Sequence, residues 1–503
     1  MKLFHRIADL GSGNKSTIVY WNSIVGMATN IVQSLFFSIY FIILARFFGP
    51  QQFSQYVVAN SLYQLVAIIA PFGLLSYFVR EYSQNEGMRL QLSREFVVIE
   101  FSLSFLGYLS IILLAFALNY ETTIVTLAII LGINLLFDNI LYFMKGVFVA
   151  ESKQFYFGVG ILVESFLKAI LGCVLLIVRL SLVDLVCIAV MLRIITFVVA
   201  YRLLRFTTLW QSTKLLSPLQ LLKDIKISHA WSFLKKANNF AVIGTLSVLY
   251  WRLNVVILSK FGEANQVAYY EIGARLFSVV QLVPVAYLLS LYPIVARAFQ
   301  ENKDEFIVLT RKALRHVVIF SLAVAVPFSV AAPDLTTLLF GAQYSPAGVI
   351  GAMMFWTLIP FSIGLLQAYL LLASGNERID MWLNALSLSV NVGVALVLIP
   401  SMQGMGVAIS IFVSFCIFVI TQHFILQRKG IHVWKGLIMR AIVLAGCAVL
   451  PVFVFSTLNK YVGMLIGQTL LWLFVIRWRM FNLTILKQLF QKRTPAANVE
   501  GIP

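Results

Sequence analysis

The chain has 503 residues, of which 60% are hydrophobic and 12% charged, and its formal net charge is +18. Its mean hydropathy is +0.91. Soluble domains carry about 25% charged residues, so an ordinary soluble enzyme or binding domain is excluded. Lys and Arg are scattered between apolar runs and not massed on one polar domain, which also argues against a nucleic-acid partner.

Apolar runs of about 20 residues recur from end to end, the signature of membrane-spanning helices. A bilayer offers backbone groups no water, so each run must close its own hydrogen bonds as a helix. The expected fold is therefore all-α, a polytopic bundle of about fourteen spans. These are placed at 19–46, 53–78, 95–118, 122–146, 156–178, 181–203, 238–259, 265–293, 311–332, 347–373, 379–400, 405–427, 437–457 and 461–478. No short apolar segment with a small-residue cleavage site opens the chain, so the first span is expected to persist. Arg205 to Lys236 is the longest non-spanning stretch. Ser217-Pro218 within it reads as an N-cap followed by proline at the first helical position. Leu219, Leu222 and Ile225, with Lys223 and Lys226, suit a short helix lying on the membrane surface. The expected division is 1–204, a six-helix bundle; 205–236, an amphipathic cytoplasmic linker; 237–428, a second six-helix bundle; and 429–503, two further spans and a tail.

With the N-terminus inside, the outer loops hold only Arg46, Arg179, Lys260 and Lys460 among the 38 Lys and Arg. Lys168, Arg193, Arg252 and Arg275 lie within spans, and the rest fall on inner segments. The positive-inside rule is thus met with both termini cytoplasmic.

An internal repeat supports two similar halves around a cavity. Phe48, Gly49, Tyr56, Val66 and Pro71 match Phe261, Gly262, Tyr269, Val279 and Pro284 at a constant offset of 213 positions. Outer loops are short, and no Ser-His-Asp set, paired acidic motif or metal cluster stands out, so catalysis is not expected. Gly11 to Thr17 imitates a phosphate-binding loop, but Asp9 and Asn14 stand where its glycines belong. No cofactor or metal is expected. Cys173, Cys187, Cys416 and Cys447 all lie in apolar segments and read as small buried side chains.

Charge at bilayer depth costs roughly 2.5–3.5 kcal/mol on insertion scales and needs a partner or a wet cavity. Glu164 and Lys168 stand four apart on one helical face, with Arg193 on the next span at similar depth. That trio reads either as structural glue or as part of a site. Glu271 and Arg275 repeat the spacing, and Arg252 lies deep in the seventh span. Two guanidiniums with one local carboxylate would leave excess positive charge there, suited to gripping phosphate. Arg252 and Arg275 are thus the leading substrate-binding candidates, joined by Lys168, Arg46 and Arg80. Arg46 and Arg80 sit at span ends, where snorkelling is the plain alternative. Glu271, Asp138, Glu164 and Glu100 are the candidates for ion coupling or gating. Glu100, Asp138 and Lys145 lie toward the inner side, as a structural network or as a proton or cation path.

Leu44-Ala45-Arg46-Phe47-Phe48-Gly49-Pro50 through Tyr56 resembles the first inter-span loop of Wzx-type polysaccharide (O-antigen) flippases. Leu338 to Ala347 (LLFGAQYSPA) looks like their outer loop between spans nine and ten, and Leu372 to Glu377 (LASGNE) is similar to the inner turn that follows. The likeness runs from about Thr17 to Arg428. These motifs mark the multidrug/oligosaccharidyl-lipid/polysaccharide (MOP) exporter superfamily better than any one member. The resemblance implies a bacterial inner-membrane protein that flips an oligosaccharide joined through pyrophosphate to undecaprenol by alternating access. It implies the lipid bilayer and other polysaccharide assembly proteins as partners. Lipid II flippases carry arginine and aspartate on the first span, and drug exporters of the superfamily an acidic residue, whereas Ile18 to Leu44 holds no charge. Lipid II flippase and cation-coupled multidrug exporter are the alternative readings.

Overall fold

The computed structural model describes residues 15–69, 74–209, 245–246, 249–434, 436–455 and 459–478. The expected surface helix at 217–226, most of the linker, Pro71 of the repeat and the tail beyond 478 lie outside the described residues. Among the described residues the protein is helical, with no strand. In chain order the helices are α1 (Lys15–Ile69), α2 (Leu74–Gln84), α3 (Arg89–Ala117), α4 (Thr122–Ala150), α5 (Gln154–Val178) and α6 (Leu182–Leu203). A helical stretch at 249–261 leads to α7 (Gln266–Glu301), α8 (Lys303–Phe340), α9 (Ser345–Ala373), α10 (Glu377–Arg428), α11 (Ile438–Val454) and α12 (Lys460–Arg477).

Among the described residues, ten helices are long and apolar enough to cross a membrane. Two of them are long enough for two crossings. α1 has 55 residues and α10 has 52, about 80 Å each at 1.5 Å per residue, against a hydrocarbon core of about 30 Å. Both break where the sequence places a turn between spans. In α1 the break is Gly49, at φ 70° and ψ 174°, followed by Pro50. Glycine reaches that region without a Cβ clash, and proline cannot supply the next amide hydrogen bond. In α10 the break falls on Gln403, at φ 53°, where an L side chain is strained. Its side-chain Oε1 accepts the Glu263 N–H at 2.9 Å, which holds the residue in place.

The chain divides into two compact units. The first comprises 1–271, 336–347 and 391–407. Within it α1 to α6 form a bundle, closed at the predicted inner end by an aromatic cluster. Phe78 lies 4.5 Å from Phe96 and 5.4 Å from Phe143 between ring centroids. Below that cluster the Glu151 carboxylate, after α4, accepts from Tyr82 Oη at 2.9 Å, Thr208 N at 2.8 Å and Thr208 Oγ1 at 2.6 Å. Lys153 pairs with it at 3.0 Å. Burial raises the Glu151 carboxyl, but the Thr208 hydrogen bonds and the Lys153 ammonium outweigh that and hold it below the ordinary 4.5.

At the opposite end the two copies of the repeat meet. Ser54 Oγ accepts the Ala268 N–H at 3.0 Å. Tyr344, fully buried, wedges between them. Its hydroxyl donates to the Ala45 carbonyl at 2.7 Å, and its ring meets those of Phe53 and Tyr269 edge-on at 6.3 and 6.2 Å. The LLFGAQYSPA segment is thus the key of a cap built from the Arg46 and Gly262 loops.

The second unit comprises 272–335, 348–390 and 408–503. Its aliphatic core includes Leu314, Val317, Leu322, Leu370 and Leu444. α12 docks on α11 through Gly463 and Gly467, a small-xxx-small spacing that lets backbones approach closely. A Cβ at Gly467 would fall 2.4 Å from the Ala448 carbonyl oxygen, and one at Gly463 2.5 Å from that of Pro451.

Candidate functional site

A polar cavity of the first unit, about 450 Å³, opens between α1, α4, α5 and α6. The second half of α1 supplies Tyr56, Asn60, Tyr63, Gln64 and Ala67, spaced three and four apart and so on one helical face. α4 supplies Leu131, Asn134, Asp138, Tyr142 and Lys145 on one stripe about 21 Å long. Gln33 and Tyr40 from the first half of α1, Lys168 from α5, and Arg193 and Thr196 from α6 complete the polar lining. Tyr40 Oη and Asn134 Oδ1 are buried without a protein partner among the described residues. The lining is therefore amide- and phenol-rich, with charges grouped on one wall.

Those charges form a lattice across three helices. Lys168 Nζ donates to Glu164 Oε1 at 2.6 Å, and Arg193 Nη1 to Glu164 Oε2 at 2.7 Å. Arg193 Nε stands 2.9 Å from Asp138 Oδ1 as an ion-pair contact, and Tyr63 Oη donates to the same carboxylate. The two carboxylates are nearly buried, with side chains 8% and 6% exposed. Such depth requires partners, and each has them. The trio expected on the fifth and sixth spans is present, and Asp138 makes it a quartet.

Other sequence candidates lie apart from this cavity. Arg46 is exposed and donates to the Leu338 carbonyl in the cap. Arg80 is exposed, pairs with Glu81 at 3.2 Å and lies over the Tyr77 ring. Glu100 is fully buried on α3, and its carboxylate has no hydrogen-bond partner among the described residues. Glu271 pairs with Arg252 on the preceding helical stretch, with Nη1 at 3.1 and 3.2 Å from its two oxygens. Glu271 thus has an ion-pair partner from a different helix, beside the Arg275 that shares its four-residue spacing along α7. Glu271 is the one local carboxylate already counted, so its pairing with Arg252 decides which guanidinium it neutralises and leaves the ratio of two guanidiniums to one carboxylate unchanged. Arg275 is half-buried in the second unit.

Sequence reasoning missed the amide and phenol lining, which the polar stripe on the second span could have signalled. It also left Arg193 and Lys145 outside the set of site residues.

A family model described as polysaccharide biosynthesis protein matches residues 19–299, and one described as lipid II flippase MurJ matches residues 216–476. Each covers more than half of the chain. The chain belongs to the MOP exporter superfamily. No curated protein matches it in sequence. Among solved structures this MOP exporter is similar to a lipid II flippase MurJ in an inward closed conformation. The TM-score is 0.71 at 14% identity, over 91% of this chain and 98% of that one. It is also similar to a multidrug resistance MATE family transporter in an inward-facing conformation, with TM-score 0.64 and 16% identity over 80% and 96% of the two chains. A third match is a MOP superfamily transporter from Pyrococcus furiosus, with TM-score 0.54 and 14% identity over 83% and 97%. At these identities the likeness establishes the fold, a polytopic helical transporter bundle.

Proposed function

We propose that this membrane transporter is a flippase for undecaprenyl-pyrophosphate-linked oligosaccharide repeat units, O-antigen or a related polysaccharide, in a bacterial inner membrane. It would work by alternating access with both termini cytoplasmic, beside other polysaccharide assembly proteins. The observation that carries the reading is the cavity of the first unit. Lys145, Lys168 and Arg193 line it against one lining carboxylate, Asp138. Even with Glu164 counted the group is one positive charge in excess. Phosphate answers that excess, and the surrounding amides and phenols match sugar hydroxyls. The paired charges of Asp138, Glu164, Lys168 and Arg193 could exchange partners during gating, as could Arg252 and Glu271. Arg275 is a further candidate cation for an anionic headgroup.

The MurJ family match supports a second reading, in which the cargo is lipid II. A cationic wall disfavours export of small cations.

Deleting the gene and determining which leaflet holds the lipid-linked saccharide tests the reading. The expected result is loss of surface polysaccharide, with the lipid-linked repeat unit confined to the inner leaflet. Normal surface polysaccharide with lipid II trapped inside would establish the second reading instead.

A further inference from the structure

Lys145 is the cavity cation that no carboxylate neutralises among the described residues. Two positive and two negative charges balance in the lattice above it, where Lys168 and Arg193 each hold a carboxylate. Lys145 continues the same α4 stripe seven residues beyond Asp138. It is half-buried and lines the cavity. Its ammonium has the Tyr142 ring at 5.9 Å and makes no salt bridge among the described residues.

Its depth is informative. α4 has 29 residues, about 43 Å, so roughly 7 Å extends beyond a hydrocarbon core of about 30 Å at each end. Lys145 lies five residues before Ala150, the last residue of the helix, or about 7–8 Å from it. That places it at the boundary between hydrocarbon and headgroups on the predicted inner side. A lysine there ordinarily snorkels into the lipid headgroups, whereas Lys145 turns into the cavity. A lipid-linked cargo has its phosphates fixed at that same level by its tail before translocation. Asp138 is about 18 Å from the same helix end, too deep to meet the phosphates first.

We propose that Lys145 is the docking cation for the phosphate-bearing headgroup of the lipid-linked cargo at the inner mouth of the cavity. The proposal rests on the flippase reading and specifies its first contact. A lysine suits the task, because its ammonium is a point charge that holds a phosphate oxygen in many orientations. The lattice then serves the bundle's structure and gating and does not compete for the anion.

The test uses the full-length protein in nanodiscs of zwitterionic lipid, titrated with undecaprenyl pyrophosphate. Inorganic pyrophosphate and phosphatidylglycerol are run as separate arms. Lys145→Gln should weaken binding of undecaprenyl pyrophosphate about tenfold to hundredfold, the loss of one charge-assisted hydrogen bond. Lys145→Arg should retain most of the affinity, and Lys303→Gln, in the second unit, should leave it unchanged. Equal binding by wild type and Lys145→Gln would overturn the anchor while leaving the flippase reading in place. No binding by wild type would overturn both. Loss of binding in Lys145→Arg together with a lowered melting temperature would assign Lys145 a structural role instead. Equal competition by phosphatidylglycerol would make the site a general anionic-lipid site and overturn the assignment to cargo, and competition by inorganic pyrophosphate alone would do the same for the lipid-linked source.

Discussion

Replacing Arg193 with glutamine should expose how much of the bundle depends on the charge lattice. The substitution leaves Asp138 and Glu164, only 8% and 6% exposed at the side chain, to share the ammonium of Lys168. Leaving one member of a buried ion pair uncompensated costs about 3–5 kcal/mol. The adjoining cavity admits water, so the lower end, about 3 kcal/mol, applies here. Glu164 keeps Lys168 at 2.6 Å, and most of the cost therefore falls on Asp138. Adding Asp138→Asn removes the orphaned charge and should restore about 2 kcal/mol, while Asp138→Asn alone, which leaves Arg193 held by Glu164, should cost about 1–2 kcal/mol. The measurement is the apparent melting temperature of the four purified proteins in detergent. At roughly 1–2 °C per kcal/mol for a chain of this length, Arg193→Gln should melt about 3–6 °C below wild type, with the double variant in between. If Arg193→Gln melts with wild type, or if the two substitutions simply add, Arg193 does not balance the charge of Asp138.

Other parts of the molecule can be probed in the same way. The Glu151 carboxyl is held below 4.5 in the folded protein, so its contribution is complete above that value and fades as pH falls through the lower folded one. Between pH 6 and 3 wild type should therefore lose melting temperature more steeply than Glu151→Gln, and parallel curves would refute the clamp. At Gly467 the obstacle is the Ala448 carbonyl, 2.4 Å from where a Cβ would sit, and backbone cannot retreat as a side chain can. Gly467→Val should loosen α12 from α11 at a cost of about 1–3 kcal/mol or more, seen as faster protease cleavage between these helices with α1 to α6 intact; an unchanged digest would sink the idea. For the second charge pair, Glu271→Gln and Arg252→Gln should each impair complementation of surface polysaccharide, and Arg252→Glu with Glu271→Arg should recover part of it. A reversed pair no better than the worse single substitution would mean that the 3.1 Å contact contributes nothing to function.

Hydropathy by itself determined that the chain is a helical membrane bundle, because a backbone in lipid has no other way to satisfy its polar groups. Local chemistry also marked the turns. Gly49-Pro50 was readable as a break from glycine's freedom and proline's missing donor, and the Glu164–Lys168 pair from a four-residue spacing on one helix. The superfamily was legible too, in the Arg46 loop and the LLFGAQYSPA segment, although their meeting around the buried Tyr344 was not. Spacing along a helix tells which side chains share a face and is silent about what stands opposite. Glu271 has Arg275 four residues on, yet it pairs with Arg252, contributed by a different helix. Tyr56, Asn60, Tyr63 and Gln64 recur at helical intervals, but only packing set them against Asn134, Asp138 and Lys145 to make a cavity. Packing likewise decided which cations are neutralised, since ion pairing falls off over a few ångströms and the carboxylates that matter come from other helices.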